Sequence, residues 1–282
     1  MKSSTFIVLS AFLFLQLTGC AFKCIKRSKN LEYTAASGKI SAQSLNVFAP
    51  SKPKAPAPVF IFIHGGNWNA GKKSLYSFFG SRMARKGIVT VVIDYPLSPE
   101  AQYNDMALAS AKAVKWVHEN IGRYGGDSAK VFVSGHSAGG HLAALIAVDN
   151  RYFDSLHVSN PLKGVVLIDA AGLDMYGYLK EEKKPADHTY LKTFTSDPAV
   201  WKEATPLYYL HTHLPPFLIY RGEKTYPSIL VSNAKFVGAL PKYTRQFQYS
   251  ILKGKRHIPM ITQFFKPWNP RYREIIRFMG EK

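Results

Sequence analysis

The chain has 282 residues, with 37 Lys+Arg against 18 Asp+Glu, giving 37 − 18 = +19. Hydrophobic residues make up 46%, charged residues 20%, and there are two cysteines. That balance excludes a disordered chain and a disulfide-stapled module, and leaves one α/β-sized globular unit. Such a charge points to nucleic acid, a membrane surface or an acidic substrate as a partner.

Lys2 precedes an apolar run from Phe6 to Leu17, broken only by Ser10 and Gln16. A cationic start, a short apolar core and small residues before a cut describe a secretory signal. The run is short for a permanent membrane span. Leu17-Thr18-Gly19-Cys20 resembles the bacterial lipoprotein box. By that resemblance residues 1–19 are the signal, and Cys20 is lipidated and becomes the new N-terminus. The mature chain would then hold 282 − 19 = 263 residues, exported to the cell envelope on a lipid anchor. Cys24 is left unpaired, so no disulfide is expected. Residues 20–39 read as a tether, whose Lys23, Lys26, Arg27 and Lys29 suit anionic headgroups.

Leu45 to Ala49 reads as a short strand, followed by a proline-rich connector from Pro50 to Pro58. Val59–Ile63 and Ile88–Ile93 are β-branched runs of buried-strand length, with helical spacing over 75–86 between them. From Asp105 to Ile121, Met106, Ala109, Ala113, Trp116 and Val117 form one apolar stripe of a helix. Strands are expected at Val131–Val133, Val165–Ile168, Pro216–Tyr220 and Phe247–Leu252. Helices are expected at Ala138–Val148, Ser228–Leu240 and Arg271–Met279. Residues 175–213 are polar, aromatic and proline-broken, without a clear period, and read as an inserted cap. Strands alternating with helices predict a mostly parallel, doubly wound sheet over residues 40–282, with helices on both faces.

Gly135-His136-Ser137-Ala138-Gly139-Gly140 joins a predicted strand to a predicted helix. This is the setting of a nucleophile elbow, which raises the Ser137 hydroxyl above the sheet at a helix N-terminus. The Ala138 amide is then free to hold an oxyanion. His64-Gly65-Gly66-Asn67-Trp68 ends an earlier strand, and its glycines bring backbone N–H groups to the same carbonyl. His64 reads as a brace for that loop.

These motifs, with Asp94-Tyr95-Pro96-Leu97-Ser98-Pro99-Glu100, Trp116-Val117, Tyr124-Gly125-Gly126-Asp127 and Lys253-Gly254-Lys255-Arg256-His257, carry a resemblance. Over roughly residues 40–280 the chain resembles α/β-hydrolase esterases, especially the carboxylesterase and feruloyl/acetyl-xylan esterase-like branch. The resemblance implies an α/β-hydrolase fold, a serine hydrolase mechanism and an ester or related acyl substrate. It makes Ser137 the nucleophile, Gly65, Gly66 and Ala138 the oxyanion hole, and His257, after the last strand, the base.

The family usually places an aspartate a few residues beyond the glycine closing the seventh strand. In Tyr220-Arg221-Gly222-Glu223-Lys224-Thr225 that position is Thr225, which carries no charge. Asp169, at the end of the sixth strand, and Glu223 are the two replacements, with Asp169 placed first. Asp174 is a third, better suited to capping.

His211 and His213 have no cysteine or carboxylate cluster beside them, so no metal is expected, and no cofactor. His136 and His141 flank the nucleophile without needing a metal. Tyr176, Tyr178, Tyr190, Phe194, Trp201, Tyr208 and Tyr209 crowd the cap, either stacking on a substrate or packing on the domain below. The expectation is a lipid-anchored serine esterase acting on small-molecule or glycan esters. An amidase or peptidase on the same fold is its chemical rival. A noncatalytic binder of an anionic envelope glycan is the rival from another class, motivated by Thr225 and the charge. Export makes nucleic acid an unexpected partner.

Overall fold

The computed structural model describes residues 24–182, Pro185 and residues 188–280; the signal and Cys20 lie outside the described residues. Eight strands form one sheet in the order β1-β2-β4-β3-β5-β6-β7-β8. They are β1 (Ile25–Thr34), β2 (Gln43–Pro50), β3 (Ala57–Ile63), β4 (Val89–Ile93), β5 (Gly126–His136), β6 (Leu162–Ile168), β7 (Phe217–Gly222) and β8 (Phe247–Leu252). β4, β3, β5, β6, β7 and β8 run parallel, while β2 is antiparallel to both β1 and β4.

The alternating side chains of the central strands explain why the sheet is covered on both faces. In β3, Ile61 and Ile63 point into one buried cluster and Phe60 and Phe62 into the other. The first face is closed by α2 (Tyr103–Asn120) and α3 (Ala138–Val148), the second by α1 (Ser77–Arg85) and α10 (Pro270–Phe278). Phe79 of α1 anchors the second face, with its ring 5.0 Å from Phe62 and 4.9 Å from Phe264. The expected bounds of α3 and β8 match those observed, and the other expected strands and helices lie within a few residues. Pro58 sits inside β3 where the pairing with β5 shifts register between Ala57 and Val59, so its missing N–H falls at an irregularity of that ladder.

The tether reading of 20–39 gives way at Ile25–Thr34, which is the edge strand β1. Its partly buried positions, Ile25, Ser28, Leu31, Tyr33 and Thr34, are interrupted by exposed Lys26, Arg27, Lys29 and Glu32. Charges of that kind blunt an edge strand against unwanted pairing, and they also hide it in the sequence. The Tyr33 hydroxyl donates to the Asp94 carbonyl at 2.7 Å and ties β1 to the loop after β4.

After β5 and α3 come α4 (Arg151–Asp154) and β6. The aperiodic cap then folds into α5 (Met175–Glu182), α6 (Thr189–Phe194) and α7 (Pro198–Glu203). Asp197 caps α7 by accepting from the Ala199 amide at 2.8 Å. Phe194 is fully buried against Trp68, ring centroids 5.0 Å apart, and fixes the cap to the loop after β3. The chain closes through α8 (Pro227–Ala239), β8, α9 (His257–Thr262) and α10.

Candidate active site

All the functional side chains leave the carboxyl ends of parallel strands, where open α/β sheets place their crevices. Ser137 follows β5 directly, at φ 57° and ψ −123°, and α3 begins at the next residue. Such a backbone is costly for a residue with a Cβ and persists only where the surroundings enforce it. Here a Cβ on Gly135 would run into the Gly139 carbonyl, so only glycine allows strand and helix to approach this closely. The Ser137 carbonyl accepts from His141 and Ala171, both at 3.1 Å. Starting α3 at Ala138 leaves that amide among the unpaired donors of a helix N-terminus.

The loop after β3 is strained in the same way. Gly66, Asn67 and Trp68 have φ of 133°, 54° and 61°. The Gly66 carbonyl accepts from Asn69 at 3.1 Å and Ala70 at 2.9 Å, and a Cβ on Gly66 would collide with Ala70. His64 Nδ1 lies 2.8 Å from the Gly65 carbonyl and its ring stacks on Tyr95 at 4.4 Å. Burial pushes its pKa down, consistent with a neutral brace. Asp94 joins it, accepting from the Lys73 amide at 2.6 Å and the Lys73 ammonium at 2.5 Å. Trp68 donates from Nε1 to His141 Nδ1 at 3.2 Å, and His141 Nε2–H donates to Ala204 at 2.7 Å. Burial holds the His141 pKa down at about 4, so this relay from loop to cap is uncharged near neutrality.

His257 opens α9 and is 8% exposed. Its Nε2 is 2.9 Å from Ser137 Oγ and its Nδ1 is 2.6 Å from Asp169 Oδ2. A proton on Nδ1 donated to Asp169 leaves Nε2 to accept from the serine hydroxyl. His136 stacks on His257 with ring centroids 4.6 Å apart, and its Nε2–H donates to the His257 carbonyl at 3.2 Å. Burial first, and the neighbouring His257 second, push the His136 pKa down to about 3.

Asp169 is fully buried, at φ 49°. Its Oδ1 accepts from the Gly222 amide at 2.7 Å, and its Oδ2 accepts from Thr225 Oγ1 as well as from His257. Three donors compensate a carboxylate held away from water. Asn233 of α8 donates to the Ala170 carbonyl at 2.8 Å and steadies the same loop. Of the candidate acids, only Asp169 reaches His257. Glu223 turns to the surface and accepts from the Gly254 amide at 2.7 Å. Asp174 pairs with Lys235 at 2.6 Å and accepts from the Gly177 amide at 3.0 Å, as a helix cap does. Thr225, read in the sequence only as the place of a missing charge, is a donor to the Asp169 carboxylate. The contacts of His136 with His257 and of Thr225 with Asp169 are the contributions the sequence does not reveal. The stretch after Gly222 singles out Thr225, but no local pattern pairs it with the residue just past β6.

Gly65, Gly66, Ser137 and His257 open into one cleft of about 970 Å³. Leu75, Phe78, Ile258 and Phe265 form an apolar wall, while Tyr178, Tyr190 and Tyr226 close the side under the cap. The cap aromatics therefore divide. Tyr178 and Tyr190 face the cleft; Phe194 packs inward; Trp201 donates to the Thr195 carbonyl at 3.0 Å, and Tyr209 lies under Arg151. Among the described residues no group of His, Cys, Asp and Glu is arranged to hold a metal. The His211 ring instead accepts from the His213 amide at 3.1 Å.

The sheet order, the serine elbow and the histidine-bearing loop together define an α/β-hydrolase fold. An inhibited esterase B from Lactobacillus rhamnosis shares that fold, with a TM-score of 0.75 at 21% identity over 91% of this chain and 86% of that one. The chain belongs to the BD-FAE family, whose model matches residues 45–233. Among curated relatives, Esterase LipC of Mycobacterium tuberculosis is 30% identical over 237 residues, covering 78% of this chain and 58% of LipC. A probable isoprenylcysteine alpha-carbonyl methylesterase of Oryza sativa is 38% identical over 111 residues, covering 39% of this chain and 27% of that protein. The chain thus spans only part of the length of these relatives.

Proposed function

We propose that the protein hydrolyses carboxylic esters through an acyl-enzyme on Ser137. The line from Ser137 Oγ through His257 to Asp169, at 2.9 and 2.6 Å, carries this reading. Similarity to LipC, named an esterase, supports it. His257 Nε2 takes the hydroxyl proton as Oγ bonds to the ester carbonyl carbon, and Asp169 offsets the imidazolium. The amides of Ala138, Gly65 and Gly66 receive the oxyanion. Collapse expels the alcohol, which takes its proton from His257. Water, deprotonated by the same nitrogen, then adds to the acyl carbon and frees the acid and Ser137.

The apolar wall suits an acyl or alkyl group, and the polar edge at Asn67, Asn69 and Ser228 suits a hydroxylated partner. Acyl or acetyl esters, those of carbohydrates included, are the proposed substrate class. A fluorophosphonate probe tests the nucleophile. The wild type should be labelled and Ser137→Ala should not; an unlabelled but folded wild type contradicts the proposal. We further propose that Cys20 carries a lipid that holds the protein in the cell envelope, supported by the Leu17-Thr18-Gly19-Cys20 sequence. Cys20→Ala should then move the protein from the membrane fraction to the soluble one. Retention of that variant on membranes argues against lipidation.

A further inference from the structure

Exposed positive charge stands at both ends of the sheet. At the carboxyl ends of the parallel strands, Lys73 and Lys235 meet Asp94 and Asp174, and exposed Lys72, Lys224, Lys253 and Arg256 stand in the loops there. The amino ends carry a second group of cations, and it lies where the chain enters the fold. Exposed Lys52 and Lys54 precede β3, Arg123 precedes β5, Lys163 is the second residue of β6 and Arg245 precedes β8, while Arg277 lies in the last turn of α10. None of these six has an ion-pair partner among the described residues. Two shallow depressions show the cations converging across elements. Arg245 and Arg277 line one of about 390 Å³, and Lys26 of β1 joins Arg123 in another of about 280 Å³. Among the described residues the carboxylates near this end are Glu119, beside Lys115 at 3.9 Å, Asp127, which accepts from the Ala129 amide at 2.9 Å, Asp149, paired with Arg151 at 2.6 Å, and Asp154 of α4.

The same end receives the chain. Ile25 pairs with Pro50 at the close of β2, and the Cys24 carbonyl accepts from the Ser51 amide at 3.1 Å. The stretch with the apolar run Phe6–Leu17 therefore joins the fold beside these cations. We propose that the amino end of the sheet is a docking face for an anionic phospholipid bilayer, so that the catalytic cleft opens away from the membrane. Cations near an anionic leaflet act together, and their attraction dies away within a Debye length. Leu75, Ile258 and Phe265 are exposed at the cleft, at 58%, 56% and 52%, but they belong to its apolar wall. In this orientation that wall meets esters arriving through water instead of lipids lying in the same bilayer. The proposal does not depend on catalysis, and its test leaves lipidation aside.

The test uses the full chain carrying Cys20→Ser and Cys24→Ser, with one polarity-sensitive fluorophore attached at a new cysteine. In one protein it replaces exposed Ala129, at the amino end, and in the other Leu75, at the cleft. Phosphatidylcholine vesicles with and without phosphatidylglycerol are added at low and high salt. The Ala129→Cys label should shift to the blue only with phosphatidylglycerol, less at high salt, while the Leu75→Cys label stays unchanged. Combining Lys52→Glu, Lys54→Glu and Arg245→Glu should weaken partitioning on the order of a hundredfold. Unchanged hydrolysis of p-nitrophenyl acetate by that variant shows that it is folded. A shift at Leu75 in place of Ala129, equal shifts on neutral vesicles, binding unaffected by the three reversals, or preference for a DNA duplex over the anionic vesicles would each overturn the proposal.

Discussion

The exits of β5 and β6 are neighbours, yet they are built in different ways. Both carry a residue at positive φ, Ser137 at 57° and Asp169 at 49°, and both present an oxygen to His257. The β5 exit is enforced locally, by Gly135, by the close Gly139 and by the start of α3 one residue later. The β6 exit is enforced at a distance. Its carboxylate is held by Gly222 and Thr225, more than fifty positions away in the chain, and by Asn233 through Ala170. The proposed nucleophile is thus encoded by a short motif, whereas the proposed acid needs only a position from which the histidine can be reached.

The comparison is most easily broken at the nucleophile. Ser137→Ala should lower turnover of p-nitrophenyl acetate on the order of 10⁶-fold, with the melting temperature little changed. Asp169→Asn should follow, with a loss of about 10⁴-fold, because an amide cannot stabilise an imidazolium. Glu223→Gln should keep near wild-type turnover, since that carboxylate faces the Gly254 amide. If the two acid variants exchange these outcomes, the assignment of the β6 exit fails. Thr225→Val removes one donor from a buried carboxylate, and its kcat should fall about 10- to 100-fold. Thr225→Ser should restore most of it; equal defects in both would mean that Thr225 only fills space.

A milder effect should appear in stability. His136 and His141 have pKa values pushed down to about 3 and about 4 from an ordinary value of 6.5. A group that binds its proton more weakly when folded stabilises the fold above its unfolded pKa and loses that contribution as pH falls toward its folded pKa. The melting temperature should therefore be level above about pH 7 and decline steadily from roughly pH 6.5 to 4. A melting temperature that rises over that window would show that these histidines are charged in the folded protein.

What could be read from the sequence follows the same local-to-distant division. The elbow, the glycine loop after β3 and His257 are local patterns, and they stand where those patterns put them. β3 and β4 were legible because both of their faces are buried, which leaves continuous β-branched and aromatic runs. β1 was hidden because an edge strand exposes its charges, so Lys26, Arg27, Lys29 and Glu32 mask the apolar positions between them. The cap helices α5, α6 and α7 are short and depend on contacts such as Phe194 against Trp68, so no period marks them. The acid stayed open between Asp169 and Glu223 because its environment comes from β7 and α9, distant in the chain.

Rapid-quench mass spectrometry during turnover of p-nitrophenyl acetate tests the central claim most directly. The account predicts a transient acetyl group on the peptide containing Ser137, accumulating in the wild type and absent from Ser137→Ala. Steady turnover with the acetyl group on another residue would contradict it.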